Sequence, residues 1–157
     1  MGFEAVEKFE KKIADWFGAP YAVAVDSCTH GIELSLRLLQ TEKIKVPTRT
    51  YISIPFLAEK LKITRQWVSD EWKDYYFLTD RIADAAVLWK KNSYILKSLM
   101  SISFKYQKHL SLGRGGMILT DNKEEAVTLK RMSYDGRNPN KPWRDQDIDT
   151  VGYHYYM

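Results

Sequence analysis

The stretch YAVAVDSCTHGIELSLRLL, residues 21–39, joins a short apolar run to an amphipathic one. Residues 21–27 form a short apolar run with β-branched valines, which predicts a buried strand. The apolar side chains of residues 28–39 recur at helical spacing, which predicts a helix. The strand therefore runs directly into a helix N-terminus at residues 27–29, where unpaired backbone N–H groups and the helix dipole favour an anion. Small polar residues at this place more often serve simply as a helix cap, so the stretch alone favours a cap and leaves anion binding as the alternative.

Short strands and helices alternate on both sides of this stretch. A helical repeat of apolar residues runs from Phe3 to Phe17 and ends at Gly18, a typical C-terminal cap. Downstream, the pattern predicts a strand, a proline-marked loop and a helix starting near Ser53, followed by a helix over residues 123–136. Further strands are predicted at residues 64–70, 81–84, 98–105 and 115–122. The alternation predicts an α/β fold with a mostly parallel sheet, and the length fits one domain over residues 1–157.

Composition excludes several function classes. The net charge of +4 comes from 24 basic and 20 acidic residues that are interleaved along the chain, so a nucleic-acid partner is not expected. No run of about 18 apolar residues indicates a membrane span, and no export signal is visible. The only cysteine, Cys28, predicts a reducing, cytoplasmic environment. It and the three histidines lack the spacing of metal ligands, so no metal is expected.

The segment SFKYQKHLSLGRGG, residues 103–116, carries two lysines and three glycines. Taken alone it could be a phosphate-binding loop, a basic nucleic-acid patch or the anchor of a covalent cofactor. Its glycines fit neither GxxxxGK[ST] nor GxGxxG, and no GxSxG motif occurs elsewhere. Four polar clusters fall where predicted strands end, and ligands of α/β folds bind at the carboxyl ends of strands. The four clusters lie at residues 27–29, 50–51, 84 and 103–108.

Several segments, in order along nearly the whole chain, resemble the pyridoxal-phosphate sugar aminotransferases of the DegT/DnrJ/EryC1/StrS group. They are FEKKIADWFGAPYAVAVDSCTHGIELSLRLL (9–39), VPTRTYISIP (46–55), IADAA (82–86), SFKYQKHLSLGRGGMILTDN (103–122), SYDGR (133–137) and GYHYYM (152–157). The resemblance implies a three-layer fold with a mostly parallel central sheet flanked by helices, as in the large domain of these enzymes. It also implies pyridoxal 5'-phosphate as the cofactor.

The resemblance assigns the cofactor contacts residue by residue. The family places its anchoring lysine five residues after the serine of the Ser-Phe pair, which is Lys108 after Ser103 here. Lys105 stands where the family often has histidine and is expected to be a neighbour. Asp84 matches the aspartate that pairs with the pyridine nitrogen, and Tyr51 matches the aromatic residue that stacks on the ring. Three residues are expected at the phosphate: Cys28, Thr29 and Ser103.

The reaction implied by the resemblance moves an amino group, usually from glutamate, to a keto-sugar attached to a nucleotide. Lys108 and Asp84 are the expected catalytic residues, and a homodimer is the expected assembly. Two alternatives stay open: a deoxysugar dehydratase, in some of which histidine replaces the lysine, and a non-catalytic remnant of the fold. Because His109 follows Lys108, the dehydratase is not excluded by the sequence.

The sequence departs from the family pattern in several places. The run from Ile63 to Arg81 is shorter than in the family, which has an additional strand and helix there. Family members continue beyond the point that corresponds to Met157, so we expect the unit to be incomplete at its C-terminus. Three single residues also differ from the pattern. They are Val87 in place of glutamine or histidine, Arg114 in place of an acid, and His154 in place of asparagine.

Overall fold

The computed structural model describes residues 3–157 of the chain. Its helices and strands alternate as the sequence predicts, and only the two-residue strand β4 was not expected. In chain order they are α1 (Glu4–Phe17), β1 (Tyr21–Val25), α2 (Cys28–Leu38), β2 (Lys43–Pro47), α3 (Ser53–Leu61), β3 (Thr64–Val68), β4 (Tyr76–Phe77), β5 (Ile82–Asp84), β6 (Leu99–Ser103), β7 (Gly116–Thr120) and α4 (Lys123–Ser133). Beyond α4 the chain is loop-like apart from a short 3-10 turn at Trp143–Asp145.

Local sequence signals set the ends of the helices. Gly18 adopts a left-handed conformation (φ 75°) and its N–H closes α1, as predicted for a glycine cap. The side chain of Ser27 accepts a hydrogen bond from the His30 N–H and caps α2. Asn122 does the same for α4, accepting from two backbone N–H groups. The capping interpretation of Ser27 is therefore confirmed, and β1 leads into α2 through residues 26–27.

Five strands form the main sheet in the order β1-β7-β6-β5-β4. The α/β class is confirmed, but the sheet is mixed and less parallel than the sequence predicts. Strands β5 and β6 pair in parallel, whereas β7 runs antiparallel to both of its neighbours and β4 antiparallel to β5. The cause lies in the connections. The four residues between β4 and β5 are too few for the crossover that a parallel pair requires, and the loop from β6 to β7 leads the chain back as a hairpin.

Strands β2 and β3 form a separate parallel pair. The N–H of Lys45 in β2 donates to the carbonyl of Leu78 at 2.8 Å, which ties this pair to the chain just after β4. Helix α3 lies between β2 and β3 in sequence and supplies the crossover that their parallel pairing requires. The segment from Tyr51 to Ser53, at the start of α3, is thereby brought toward the carboxyl end of the sheet.

Residues alternate between the two faces of the main sheet, which gives three layers. On β1, Val23 and Val25 pack with the cluster that contains α2 and α4, whereas Ala24 packs with the cluster that contains α1. Strand β6 divides in the same way, with Leu99 on the first face and Met100 on the second. This period of two is that of a sheet covered on both sides. The predicted helix-sheet-helix layering is confirmed.

Residues 3–157 contain neither a candidate membrane-spanning helix nor a candidate metal-binding cluster. No helix in that range is long and apolar enough to cross a bilayer. The same range holds no group of three or more histidine, cysteine, aspartate or glutamate side chains placed to bind a metal ion.

Candidate active site

All six residues predicted to contact a cofactor line one cavity of about 430 Å³. They are Cys28, Thr29, Tyr51, Asp84, Ser103 and Lys108. They come from the start of α2, the loop before α3, the end of β5, and the end of β6 with the loop after it, so the fold brings together residues that are up to 80 positions apart. The volume lies in the range that binds small molecules and cofactors. The convergence expected from the four polar clusters is therefore observed, while the role of each residue stays a prediction.

Asp84, the last residue of β5, is 7% exposed at the inner wall of the cavity. Burial raises the pKa of its carboxyl group. Two hydrogen bonds oppose this effect: Tyr76 Oη donates to Oδ2 at 2.7 Å, and the Ala86 N–H donates to Oδ1 at 3.0 Å. The positive charge of Lys108 also lowers the pKa of Asp84. The site thus combines a buried carboxyl group with donors and a cation that favour its charged form.

Cys28, the first residue of α2, is buried beside this carboxyl group. Its Sγ lies 4.0 Å from Asp84 Oδ1. Burial and the negative charge of Asp84 raise the pKa of the thiol well above its usual value, although Lys108 acts in the opposite direction. Because only the thiolate is a strong nucleophile, Cys28 is not poised for nucleophilic catalysis. Its contribution to the cavity is a small side chain and a backbone N–H in the first turn of α2.

The first turn of α2 forms one wall of the cavity. The N–H groups of Cys28 and Thr29 belong to the first turn of the helix, where no helical carbonyl can accept from them. The hydroxyl of Thr29 lies 2.9 Å from that of Ser53, the first residue of α3. Two helix starts and their hydroxyl groups therefore meet on one side of the cavity. This arrangement of N–H groups and hydroxyls suits an anion.

Glycines allow the loop before β7 to pack against this helix start. Gly115 has φ +129° and Gly113 has φ +83°, values that other residues rarely adopt. At Gly116, by contrast, a Cβ would overlap the backbone of Ser27 and Cys28. The double glycine thus permits β7 to begin in direct contact with the turn between β1 and α2.

The two lysines of this loop occupy different places. Lys108 is the lysine whose charge acts on both Asp84 and Cys28, at the inner wall. The ammonium of Lys105 instead lies 5.0 Å from the ring centre of Tyr51 and 5.5 Å from that of Tyr106. Both tyrosines are about 62% exposed, so Lys105 belongs to the mouth of the cavity. Both lysines line the cavity, and the assignment of Lys108 as the anchor stays a prediction.

The sequence profile of the DegT/DnrJ/EryC1/StrS aminotransferase family matches residues 1–87 and 86–157. The chain belongs to this family. A comparison with curated proteins found no match.

Solved structures of aminotransferases share the fold. AtS13 from Actinomadura melliaura superposes with a TM-score of 0.84 at 19% identity, covering 97% of this chain and 56% of that one. The sugar aminotransferase CalS13 from Micromonospora echinospora gives 0.79 at 13% identity, with 98% and 57% covered. NtdA from Bacillus subtilis, solved with bound cofactor PMP, gives 0.80 at 16% identity, with 97% and 44% covered. This DegT-family chain therefore spans about half the length of the structures it matches.

The structure accounts for one departure from the DegT pattern and locates the others. Arg114 donates from Nη2 to Asp26 Oδ2 at 2.8 Å and from Nε to the Asp26 carbonyl at 3.2 Å, so a positive charge there has a partner. Val87 is 37% exposed and does not line the cavity described above. His154 is exposed, with Nδ1 3.0 Å from Asp135 Oδ2.

Two residues at the site were missed by the sequence reasoning. Tyr76 and Thr50 form a hydrogen-bonded chain that ends on Asp84. Thr50 stands in one of the four polar clusters, but only its neighbour Tyr51 received a role, because Tyr51 matches the aromatic residue of the family. Tyr76 lies in the shortened segment between Ile63 and Arg81, which carries no family motif. The aromatic residues of that segment could have indicated a strand. A strand only four residues before β5 pairs with it as a hairpin, which would have placed Tyr76 beside Asp84.

Proposed function

We propose that this chain forms the cofactor-binding unit of a pyridoxal-phosphate aminotransferase, folded as one domain over residues 1–157. The amino group passes from glutamate to a keto-sugar carried on a nucleotide. The observation that carries the proposal is the meeting of a lysine, a buried aspartate, an aromatic ring and a helix start in one cavity of a DegT-family chain. Sugar aminotransferases among the structural neighbours support the sugar substrate.

The donor set of the cavity fits pyridoxal phosphate. The cofactor needs a primary amine for its aldehyde, an anion for its ring nitrogen, a flat surface for its ring and donors for its phosphate. Lys108 and Asp84 meet the first two needs, and Tyr51 meets the third. The fourth is met by the first turn of α2, with the hydroxyls of Thr29 and Ser103. When bound, the cofactor supplies an electron sink for the carbon that exchanges its amine.

Each residue of the chain then has a distinct task. Asp84, held by Tyr76 and Ala86, offers a carboxylate to a protonated ring nitrogen. The amine of Lys108 would hold the cofactor through its aldehyde and, once displaced by the amine of the donor, would be free to move a proton at the carbon that carries the exchanging nitrogen. Lys108 is partly buried in the cavity, and its positive charge acts on Asp84.

The position of Lys108 also favours transamination over dehydration. Enzymes of the dehydratase alternative include some in which histidine takes the place of the anchoring lysine. Here His109 is exposed and does not line the cavity, whereas Lys108 does. The only amine that interacts with Asp84 and Cys28 is thus the one that transamination requires, among the residues that the structure describes.

Trapping of the cofactor tests the proposal. The purified chain, incubated with pyridoxal phosphate and reduced with borohydride, is expected to retain the cofactor covalently and to lose its visible absorbance. Lys108→Ala should abolish this trapping, and Lys105→Ala is the matched control that should preserve it. Loss of trapping in the Lys105 variant instead would transfer the anchor to the mouth of the cavity. An absorbance change on adding glutamate, without other amino acids, supports glutamate as the donor.

A homodimer is part of the proposal. Large apolar side chains are exposed at the start of α3 and in the loop after β6, two segments that each contribute a tyrosine to the cavity, as expected of a surface that another copy covers. They are Tyr51, Ile52, Phe56, Tyr106 and Leu112.

The buried, unpaired Cys28 accords with the cytoplasmic location expected from the sequence. That location stays a prediction.

A further inference from the structure

Tyr76 contacts Asp84 directly and does not itself line the cavity. Its hydroxyl donates to Asp84 Oδ2 at 2.7 Å and lies 2.5 Å from the hydroxyl of Thr50. The residue is 8% exposed, and its ring packs on Trp72 at 4.8 Å between ring centres. A buried phenol with two partners and a packed ring has little freedom to move. It therefore defines where one oxygen of the carboxyl group lies.

The pairing of β4 with β5 places Tyr76 there. The two strands are antiparallel, and Tyr76 is the residue directly opposite Asp84 in their register. Side chains of directly opposed residues lie on the same face of a sheet, so the phenol and the carboxyl group must meet. Strand β4 belongs to the segment that is shorter here than in the DegT family pattern. The shortened segment thus contributes a side chain to the candidate active site.

We propose that Tyr76, supported by Thr50, is a positioning residue that orients the Asp84 carboxylate and keeps it ionised for the ring nitrogen of the cofactor. This inference rests on the proposed function for the identity of the cofactor. It goes further by assigning a role to β4, which no family motif covers.

The direction of the hydrogen bonds follows from the donors available. Burial and the nearby charge of Asp84 raise the pKa of Tyr76, so the phenol keeps its proton. That single proton goes to Asp84, which leaves the hydroxyl of Thr50 to donate to Tyr76 Oη. The Tyr76 hydroxyl thus stabilises the charged carboxylate against the effect of burial. Removing it leaves fewer groups to hold that charge.

Four groups face the carboxyl group of Asp84, each from a different element. They are the phenol of Tyr76 on β4, the Ala86 N–H after β5, the thiol of Cys28 on α2 and the ammonium of Lys108 after β6. Of these four groups, only the Tyr76 hydroxyl can be removed by a substitution that keeps the shape of the side chain and leaves the other three groups in place. Tyr76→Phe is therefore the diagnostic variant, and Thr50→Val tests the more distant member of the chain.

The first readout is the titration of Asp84 in the cofactor-free chain. Carbon-13 NMR of the aspartate carboxyl groups, with Asp84→Asn to assign the signal, follows this titration directly. Tyr76→Phe should shift the Asp84 midpoint to higher pH, and Thr50→Val should shift it in the same direction by less. The matched control is Tyr94→Phe, which removes another phenol hydrogen bond, to the Ser98 carbonyl at 2.9 Å, and should leave Asp84 unchanged.

The second readout is the affinity for pyridoxal phosphate. Loss of a hydrogen bond to a charged group is expected to weaken binding roughly tenfold in Tyr76→Phe. An unchanged Asp84 midpoint in a folded Tyr76→Phe chain would overturn the inference. So would a shift of equal size in Tyr94→Phe. If the wild-type chain binds no cofactor, the proposed function fails, but the titration still decides whether Tyr76 controls Asp84.

Discussion

Gly116→Ala is expected to damage both stability and cofactor binding through one contact. The ideal Cβ at this position overlaps three backbone atoms, the Cys28 nitrogen and the carbonyl carbon and oxygen of Ser27. Backbone atoms cannot rotate away as a side chain can, so β7 and the start of α2 must move apart. Overpacking of this kind costs about 2 kcal/mol, which lowers Tm by about 4–8 °C in a chain of this size.

The same movement displaces the N–H groups of Cys28 and Thr29 from the cavity. Loss of one hydrogen bond to a charged phosphate weakens binding by at least roughly tenfold. Thermal melting by circular dichroism and a titration with pyridoxal phosphate measure the two effects on one preparation. Gly113→Asn is the comparison variant, since no atom lies within 4 Å of its Cβ and the only strain there comes from the φ of +83°, which asparagine bears better than most residues.

The two glycine variants discriminate between causes. A Gly116→Ala chain that melts and binds like the wild type would refute the close contact between β7 and the helix start. If Gly113→Asn instead lost the same stability and affinity, the conformational freedom of the whole loop would be responsible, and not the contact at Gly116.

Two further predictions follow from the site. Asp84→Asn should abolish cofactor trapping, yet it should stabilise the cofactor-free chain at neutral pH. Burial raises the pKa of Asp84 in the folded state. The ionised carboxylate therefore opposes folding at any pH above the unfolded pKa of about 3.9. Thermal melts should show this advantage shrinking as the pH falls toward that value, and an advantage that grew in acid would contradict the assignment. Sedimentation of the cofactor-loaded chain should give a dimer, and Phe56→Glu, which charges an exposed apolar side chain, should give monomers. A wild-type chain that sediments as a monomer at all concentrations would remove the homodimer from the proposal.

Local sequence patterns predicted the helices and strands well because their signals are local. The cap at Ser27, the glycine stop at Gly18 and the apolar spacing of α4 all act within a few residues. The convergence of Asp84 and Lys108 was also predictable, since both follow strands of one sheet and strand ends define a common edge.

Features that depend on pairing between distant strands were not predictable from these signals. The directions of β4 and β7 depend on which strands they pair with, and no local pattern identifies those partners. For the same reason the sequence did not predict the contact between Tyr76 and Asp84. The partner of Arg114 was missed as well, because Asp26 lies 88 residues earlier and meets it only in the folded chain.

Location of the cofactor adduct tests the central claim most directly. The chain is loaded with pyridoxal phosphate, reduced with borohydride, digested and sequenced by mass spectrometry. We expect the pyridoxyl group on Lys108, the lysine whose charge reaches Asp84. An adduct on Lys105, or a folded chain that carries no adduct on either lysine, would contradict the account.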